Sequence, residues 1–202
     1  PERTIYDGIR GPTSLAFDAS MNLYVADADG GAVTVYAAGT TSRMRTIRHL
    51  IAPLSLGFDS SGNLYVADIG DGYGRGAKVV VYGPGSSVPL RVIRDGVPGP
   101  NNLMFDSTGM LYVTNNLARL GTLRGFVSVY APGSEKAAYK IERRVFLPGS
   151  AALDAQGNLY VANGTVGGAG GDVTLYARGS RKLLKTMRDG IDGPRALAIW
   201  PR

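Results

Sequence analysis

Short apolar runs alternate with short polar turns along the whole chain, and the alternation is periodic. Leu-Tyr-Val-Ala fills residues 23–26, 64–67 and 159–162, and Leu-Tyr-Val-Thr fills 111–114. Ahead of each lies a small apolar run that ends in an aspartate: Asp18, Asp59, Asp106 or Asp154. Behind each comes a Gly-rich gap and then Val-x-Val-Tyr or Val-x-Leu-Tyr. The phrase returns every 40–50 residues or so, which makes the chain four copies of one supersecondary unit.

Each copy predicts four short strands, because β-branched and aromatic residues dominate its runs. The first strand is predicted at 14–17, 55–58, 102–105 and 151–153, and the second is the Leu-Tyr-Val-Ala segment. The third is predicted at 33–36, 79–82, 127–130 and 173–176, and the fourth at 44–48, 90–94, 139–143 and 183–188. Leu23 and Val25 alternate with Tyr24 and Ala26, so both faces of the second strand are apolar. A strand of that kind must be covered on both sides, as happens when sheets stack on sheets. The turn before it, Asp59-Ser60-Ser61-Gly62-Asn63 in the second copy, uses Asp to accept backbone bonds and Gly in the left-handed conformation. Met21 stands where Gly62, Gly109 and Gly157 stand, so it is expected in that conformation at a cost on the order of 1 kcal/mol.

Stacked four-stranded units of this length predict an all-β fold, a β-propeller of four-stranded antiparallel blades. A single domain over 1–202 would hold four full blades, approximately 11–49, 50–96, 97–145 and 146–190. Partial blade strands are expected at both ends, 1–9 resembling a fourth strand and 191–202 a first strand. That arrangement suggests an arc of a larger ring; a degenerate fifth blade or a neighbouring chain are the other ways to close it. Because exposed sheet edges invite pairing, self-assembly or further blades are expected.

The phrase Gly11-Pro12…Leu15-Ala16-Phe17-Asp18, continued as in Gly62-Asn63-Leu64-Tyr65-Val66-Ala67-Asp68 and closed as in Ile93-Arg94-Asp95-Gly96, resembles the NHL-type β-propeller repeat. It is also similar to the tandem repeats of bacterial secreted and surface propeller proteins. The resemblance covers nearly the whole chain. It implies a ring of about six blades and an extracellular, cell-surface or periplasmic location.

Composition narrows the function classes. With 202 residues, 44% of them apolar, the chain can bury a sizeable core. No apolar run approaches the ~20 residues of a membrane helix, so no membrane insertion is expected. The absence of cysteine removes disulfides and thiolate metal sites. The chain opens on Pro1 without a charged-then-apolar leader, as expected after removal of a signal peptide or after trimming. The net charge is +6, and the basic residues concentrate in the fourth strands, among them Arg45, Arg48, Arg91, Arg94, Arg143 and Lys185. Outer edge strands carry such charges to prevent edge pairing. A basic surface that meets an anionic partner is the alternative.

The gaps between second and third strands vary most: 27–32, 68–78, 115–126 and 163–172. Variable loops on a constant scaffold are where recognition concentrates. They carry the candidate ligand-binding residues Asp71, Tyr73, Arg75, Asn115, Asn116, Arg119, Arg124 and Asp172, a mixture suited to a polar or acidic ligand. Asp27, Asp68, Asn115 and Asn163 form a second series after each Leu-Tyr-Val. They could ring a cation, but recurrence in every copy favours capping of backbone N–H groups. The segment 167–172, Gly-Gly-Ala-Gly-Gly-Asp, is similar to Gly-Asp calcium repeats in a single copy only, and neither metal nor cofactor is expected. His49, the only histidine, sits where Asp95 and Asp189 sit in the other copies, in a blade-to-blade connector, and is expected to be a surface residue.

No catalytic residue is assigned. Gluconolactonase-like propeller hydrolases use Glu, Asn and Asp on a metal, and virginiamycin B lyase-like enzymes use His with Glu; neither set maps onto this chain. Its glutamates are Glu2, Glu135 and Glu142, all outside the variable loops. The expected function is a non-catalytic binding or scaffold module for a protein, peptide or glycan. Two alternatives stand beside it: a propeller lyase or hydrolase whose site is incomplete in this chain, and an RNA-binding NHL-like propeller. Nucleic acid is the less favoured partner, because the loops do not interleave aromatics with Arg and Lys as stacking on single strands requires.

Overall fold

Four antiparallel meanders account for every strand of the computed structural model, which describes residues 4–165 and 170–199. Blade 1 comprises β1 (Pro12–Phe17), β2 (Leu23–Asp27), β3 (Ala32–Tyr36) and β4 (Arg43–Ile47). Blade 2 comprises β5 (Pro53–Phe58), β6 (Leu64–Asp68), β7 (Lys78–Tyr82) and β8 (Pro89–Ile93). Blade 3 comprises β9 (Pro100–Phe105), β10 (Leu111–Asn116), β11 (Gly125–Tyr130) and β12 (Tyr139–Ile141), with a 3-10 turn at Ala118–Leu120. Blade 4 comprises β13 (Pro148–Leu153), β14 (Leu159–Asn163), β15 (Asp172–Tyr176) and β16 (Leu183–Met187). In each sheet the strands lie in chain order, the blade unit of a β-propeller. The blades fall into two compact units, Pro1–Arg94 and Asp95–Arg202.

The predicted strands all form, with shifted ends. First strands begin earlier than expected, at Pro12, Pro53, Pro100 and Pro148, and the register slips just after each proline. Proline has no N–H to give the ladder, so a bulge at the first strand position is where it fits. The end segments differ from expectation: the described residues 4–11 and 191–199 form no strand. A strand needs a ladder, and no described residues offer these segments one. Residues 1–3 and 200–202, parts of the same expectation, lie outside the described residues.

Within the first unit the core joins Tyr24, Ala26, Val33, Val35 and Ile47 of blade 1 to Leu56, Leu64, Val66, Val80 and Tyr82 of blade 2. The Phe58 ring meets the Tyr24 ring edge-on at 5.0 Å, a favoured aromatic geometry. The second unit repeats the arrangement with Tyr112, Val127, Val129 and Ile141 against Ala151, Leu159, Val161 and Tyr176. Leu-Tyr-Val-Ala strands are thus buried on both faces, Val25 and Tyr24 alike. Burial of each such side chain stabilises by roughly 1.5–3 kcal/mol. One sheet face is open: Leu15 and Phe17 of β1 are 63% and 55% exposed, whereas their counterparts Leu56 and Phe58 belong to the interior of the first unit.

Polar side chains fix the turns. Asp18 Oδ1 accepts the N–H groups of Ser20 and Asn22, each at 2.9 Å, and its Oδ2 accepts the Asn22 amide at 2.9 Å. Asp59 and Asp154 do the same with Asn63 and Asn158. Met110 replaces the asparagine in blade 3, and the Thr108 hydroxyl donates to Asp106 instead, at 2.6 Å. Burial pushes the Asp18, Asp106 and Asp154 carboxyls up, but the bonds they accept outweigh it and hold them below the ordinary 3.8.

The basic fourth strands have a structural use that edge protection does not cover. Arg45 and Arg91 lie over the Tyr24 and Tyr65 rings, each 5.6 Å from the centroid. Arg45 donates to the Tyr24 hydroxyl at 2.7 Å and Arg91 to that of Tyr65. These two cations are components of the blades.

The connectors share a left-handed residue at one aligned position: Gly8, His49, Gly96, Arg144 and Gly190, with φ of 75°, 67°, 70°, 62° and 68°. His49 therefore aligns with Gly96 and Gly190 rather than with Asp95 and Asp189. The connector that carries it is one residue short, and the gap falls before the histidine.

Met21 has φ of 62°, beside 76°, 81° and 81° at Gly62, Gly109 and Gly157, and is 62% exposed. Met21→Gly removes left-handed strain of about 1 kcal/mol and little packing, so the melting temperature should rise by about 2–4 °C. A fall on calorimetry would contradict this account of the turn.

Candidate functional site

The eight loop residues singled out in the sequence occupy several distinct settings. Asp71, Tyr73 and Arg75 belong to the first unit and form a self-contained turn. Asp71 Oδ1 accepts the N–H groups of Tyr73 at 2.8 Å and Arg75 at 3.1 Å, and the Tyr73 ring is 77% exposed. The other five belong to the second unit. Asn115 is wholly buried; its amide donates to the Gly96 and Val113 carbonyls at 3.1 and 3.2 Å. Asn116 Oδ1 accepts the Ala118 N–H two residues on, at 3.0 Å. Arg119 and Arg124 are exposed, and the Arg124 backbone makes an isolated bridge to Phe146. Asp172 alone of the eight lines a cleft, described below.

The series at the end of the second strand is a clasp. Asp27 accepts the N–H groups of Arg10 at 3.0 Å and Gly11 at 2.7 Å, and Asp68 those of Ile51 at 3.1 Å and Ala52 at 2.9 Å. Asn115 and Asn163 accept from Gly99 and Phe146 at 3.4 and 3.1 Å and use their amides on the Gly96 and Arg144 carbonyls. In every blade the side chain ties the incoming connector to the second strand, beyond the bonds that Asp27 and Asp68 also accept within their own loops from Gly30 and Gly70. The clasp charge is balanced locally in blade 2, where Lys78 lies 3.1 Å from the buried Asp68. Among the described residues no group of three or more His, Cys, Asp or Glu side chains is placed to hold a metal. Residues 166–169, which include the first half of the glycine-rich segment, lie outside the described residues.

Blade 4 breaks the pattern. Its connector reads Arg143-Arg144-Val145-Phe146-Leu147-Pro148, where three others read Asp-Gly-Ile/Val-x-Gly-Pro at 7–12, 95–100 and 189–194. Arg144 takes the left-handed position that glycine holds there, and Leu147 also has a positive φ, of 43°. Each costs on the order of 1 kcal/mol or more. The Arg144 guanidinium reaches Asp172 Oδ2 at 2.9 Å and lies 5.8 Å from the Phe146 ring centroid. Asp172 pairs across the ladder with Asn163, whose amide donates to Asp172 Oδ1 at 2.7 Å and to Thr174 Oγ1 at 3.1 Å. Arg188, at the end of β16, meets the same Oδ2 at 3.4 Å.

These groups line a cleft of about 590 Å³, within the roughly 300–1,000 Å³ of small-ligand sites. Its apolar walls come from Leu123, Phe146, Leu147 and Ile191. Its polar end is Asp172 with the two arginines. A second cleft of similar volume lies along β12 among Asp95, Tyr139, Lys140, Glu142 and Arg181, without a comparable apolar wall. The blade 4 cleft has the chemistry of a binding site: guanidiniums stay protonated, and both Asp172 oxygens are already engaged. It can hold and orient an anionic group beside an apolar one.

Of the residues lining this cleft, Asp172 is among the loop candidates named from the sequence, and Arg144, Phe146, Leu147 and Arg188 are not. The signal was present as the departure of 143–147 from the repeat's own connector.

Nor do comparisons with known proteins reach beyond the fold. No family model matches the chain, and no curated protein matches it. Among solved structures it is similar to hydrazine synthase of Kuenenia stuttgartiensis, a β-propeller-containing protein, with a TM-score of 0.76 and 18% identity. The match covers 92% of this chain and 51% of that one, so the chain spans about half the length of that relative. The likeness shows a β-propeller fold. Among the described residues no helix is long and apolar enough to cross a membrane.

The clasp makes a stability prediction. Asp68→Ala strands Lys78 and leaves the Ile51, Ala52 and Gly70 N–H groups without their acceptor. It should cost about 3–5 kcal/mol in chemical denaturation. A loss below about 1 kcal/mol would show that the clasp does not hold the connector.

Proposed function

We propose that the protein is a non-catalytic binding module and that the cleft of blade 4 receives a segment of a protein or peptide partner. One observation carries the reading: the residues that depart from the repeat, Arg144, Phe146 and Leu147, converge on one cleft, two of them in strained backbone. Three of the other four connectors hold glycine at both strained positions, and strain retained against that alternative is characteristic of functional sites. Phe146 is 43% exposed and Leu123 58%, so the cleft presents apolar surface to a partner. The repeat's likeness to NHL-type and secreted tandem-repeat propellers supports an extracellular, cell-surface or periplasmic setting. The hydrolase and lyase readings draw no support from the cleft, whose single carboxylate is fully paired.

A peptide array probed with the wild-type protein and with Phe146→Ala tests the reading. Binders should appear with the wild type and weaken at least about tenfold with the variant, while the melting temperature stays within about 2 °C. An array on which both proteins bind the same peptides equally would remove the cleft from the binding surface.

A further inference from the structure

We infer that the cleft recognises a carboxylate attached to an apolar group, with the C-terminal carboxylate of a peptide ending in an apolar residue as its fitting source. The inference rests on the binding reading above and specifies its ligand.

Charge comes first. The lining carries two guanidiniums, Arg144 and Arg188, and one carboxylate, Asp172. Asp172 has nothing left to offer: Oδ1 accepts from Asn163, and Oδ2 is shared by both arginines. Each guanidinium has five N–H donors, so the two forks bring more donors than Asp172 can accept. The Arg188 side chain is 60% exposed and sits at the longer distance, 3.4 Å, so the fork can turn toward a ligand without breaking the buried bonds. Asp192 stands nearby and accepts the Gly170 N–H, but it is exposed to water and forms no part of the lining. Arg124, whose backbone bridges Phe146, is likewise exposed and outside the lining.

The lining therefore carries one uncompensated positive charge. A monoanion brings it to neutrality. A phosphate dianion would overshoot and place two charges against the buried Asp172. Planar forks match a planar carboxylate in two parallel bonds. The walls of Leu123, Phe146 and Ile191 offer apolar surface to a group attached to the carboxylate.

Three probes read the inference by isothermal titration: an N-acetylated pentapeptide ending in Leu-Phe as the free acid, the same peptide as its C-terminal amide, and 3-phenylpropanoate. The free acid should bind at least about tenfold more tightly than the amide, and added salt should narrow the gap. Arg188→Gln should cut the acid's advantage over the amide to about twofold or less, and an advantage that stays about tenfold would overturn the role of the Arg188 fork. A free acid tighter than 3-phenylpropanoate assigns the peptide terminus as the source; the reverse keeps the carboxylate chemistry and assigns a small organic acid. Equal affinity for acid and amide would overturn the carboxylate while the binding module stands. If no probe binds at millimolar concentration but the array yields cleft-dependent binders, the ligand class is wrong. If the array is empty as well, the binding reading falls with it.

Discussion

Each blade depends on a buried side chain at the end of its second strand that fastens the connector leading into the first. Asp27, Asp68, Asn115 and Asn163 all lie almost without solvent contact. All spend their oxygens on connector N–H groups that would otherwise lack partners. A buried backbone donor left unpaired costs about 1–3 kcal/mol, so the clasp is what permits an irregular connector to run beside an apolar sheet. Tyrosine adds a second tie. The Tyr130 and Tyr176 hydroxyls donate to the Asp95 and Arg143 carbonyls at 2.6 and 2.5 Å, and Tyr36 reaches Asp7. Burial pushes the Tyr130 hydroxyl up to about 12, which keeps it a donor at any physiological pH.

With connectors held this way, the scaffold tolerates change at the connector's own side chains. Blade 4 shows what such tolerance allows. The clasp there is the neutral Asn163, and the carboxylate has moved across the ladder to Asp172, the position of Ala32 in blade 1 and Lys78 in blade 2. Both arginines of the cleft reach that displaced charge. Arg144 starts from a left-handed residue, a conformation the other connectors mostly leave to glycine. The cleft is thus a local exchange of positions within an unchanged blade.

Periodicity made the blades legible, because a four-strand meander writes its apolar face into the sequence at each turn. The left-handed Met21 was legible for the same reason: three glycines marked its position. The limits have physical causes too. Residues 4–11 and 191–199 carry strand-like sequence, but local preference does not make a strand without a ladder. His49 was misaligned by one residue, because a shortened connector leaves its gap undetermined until backbone angles place it. Arg45 and Arg91 looked like edge charges, since nothing local tells an arginine over a tyrosine from one in water. The cleft was the least visible, because its residues come from a connector, a loop and two strand ends. Reading variable loops drew attention to Tyr73 and Arg75, where length varies, and away from 143–147, where length is kept and chemistry changes.

The most direct measurement restores the repeat within blade 4. Arg143→Asp, Arg144→Gly, Phe146→Asp and Leu147→Gly recreate the connector at 189–193 apart from Val145 and keep the N–H that Asn163 accepts, and Asp172→Ala removes the carboxylate that Arg144 had balanced. If the blade is a general scaffold and the cleft its local specialisation, this variant unfolds at or above the wild-type temperature and no longer binds what the cleft binds. A variant that fails to fold, or that folds and binds as before, would contradict the account.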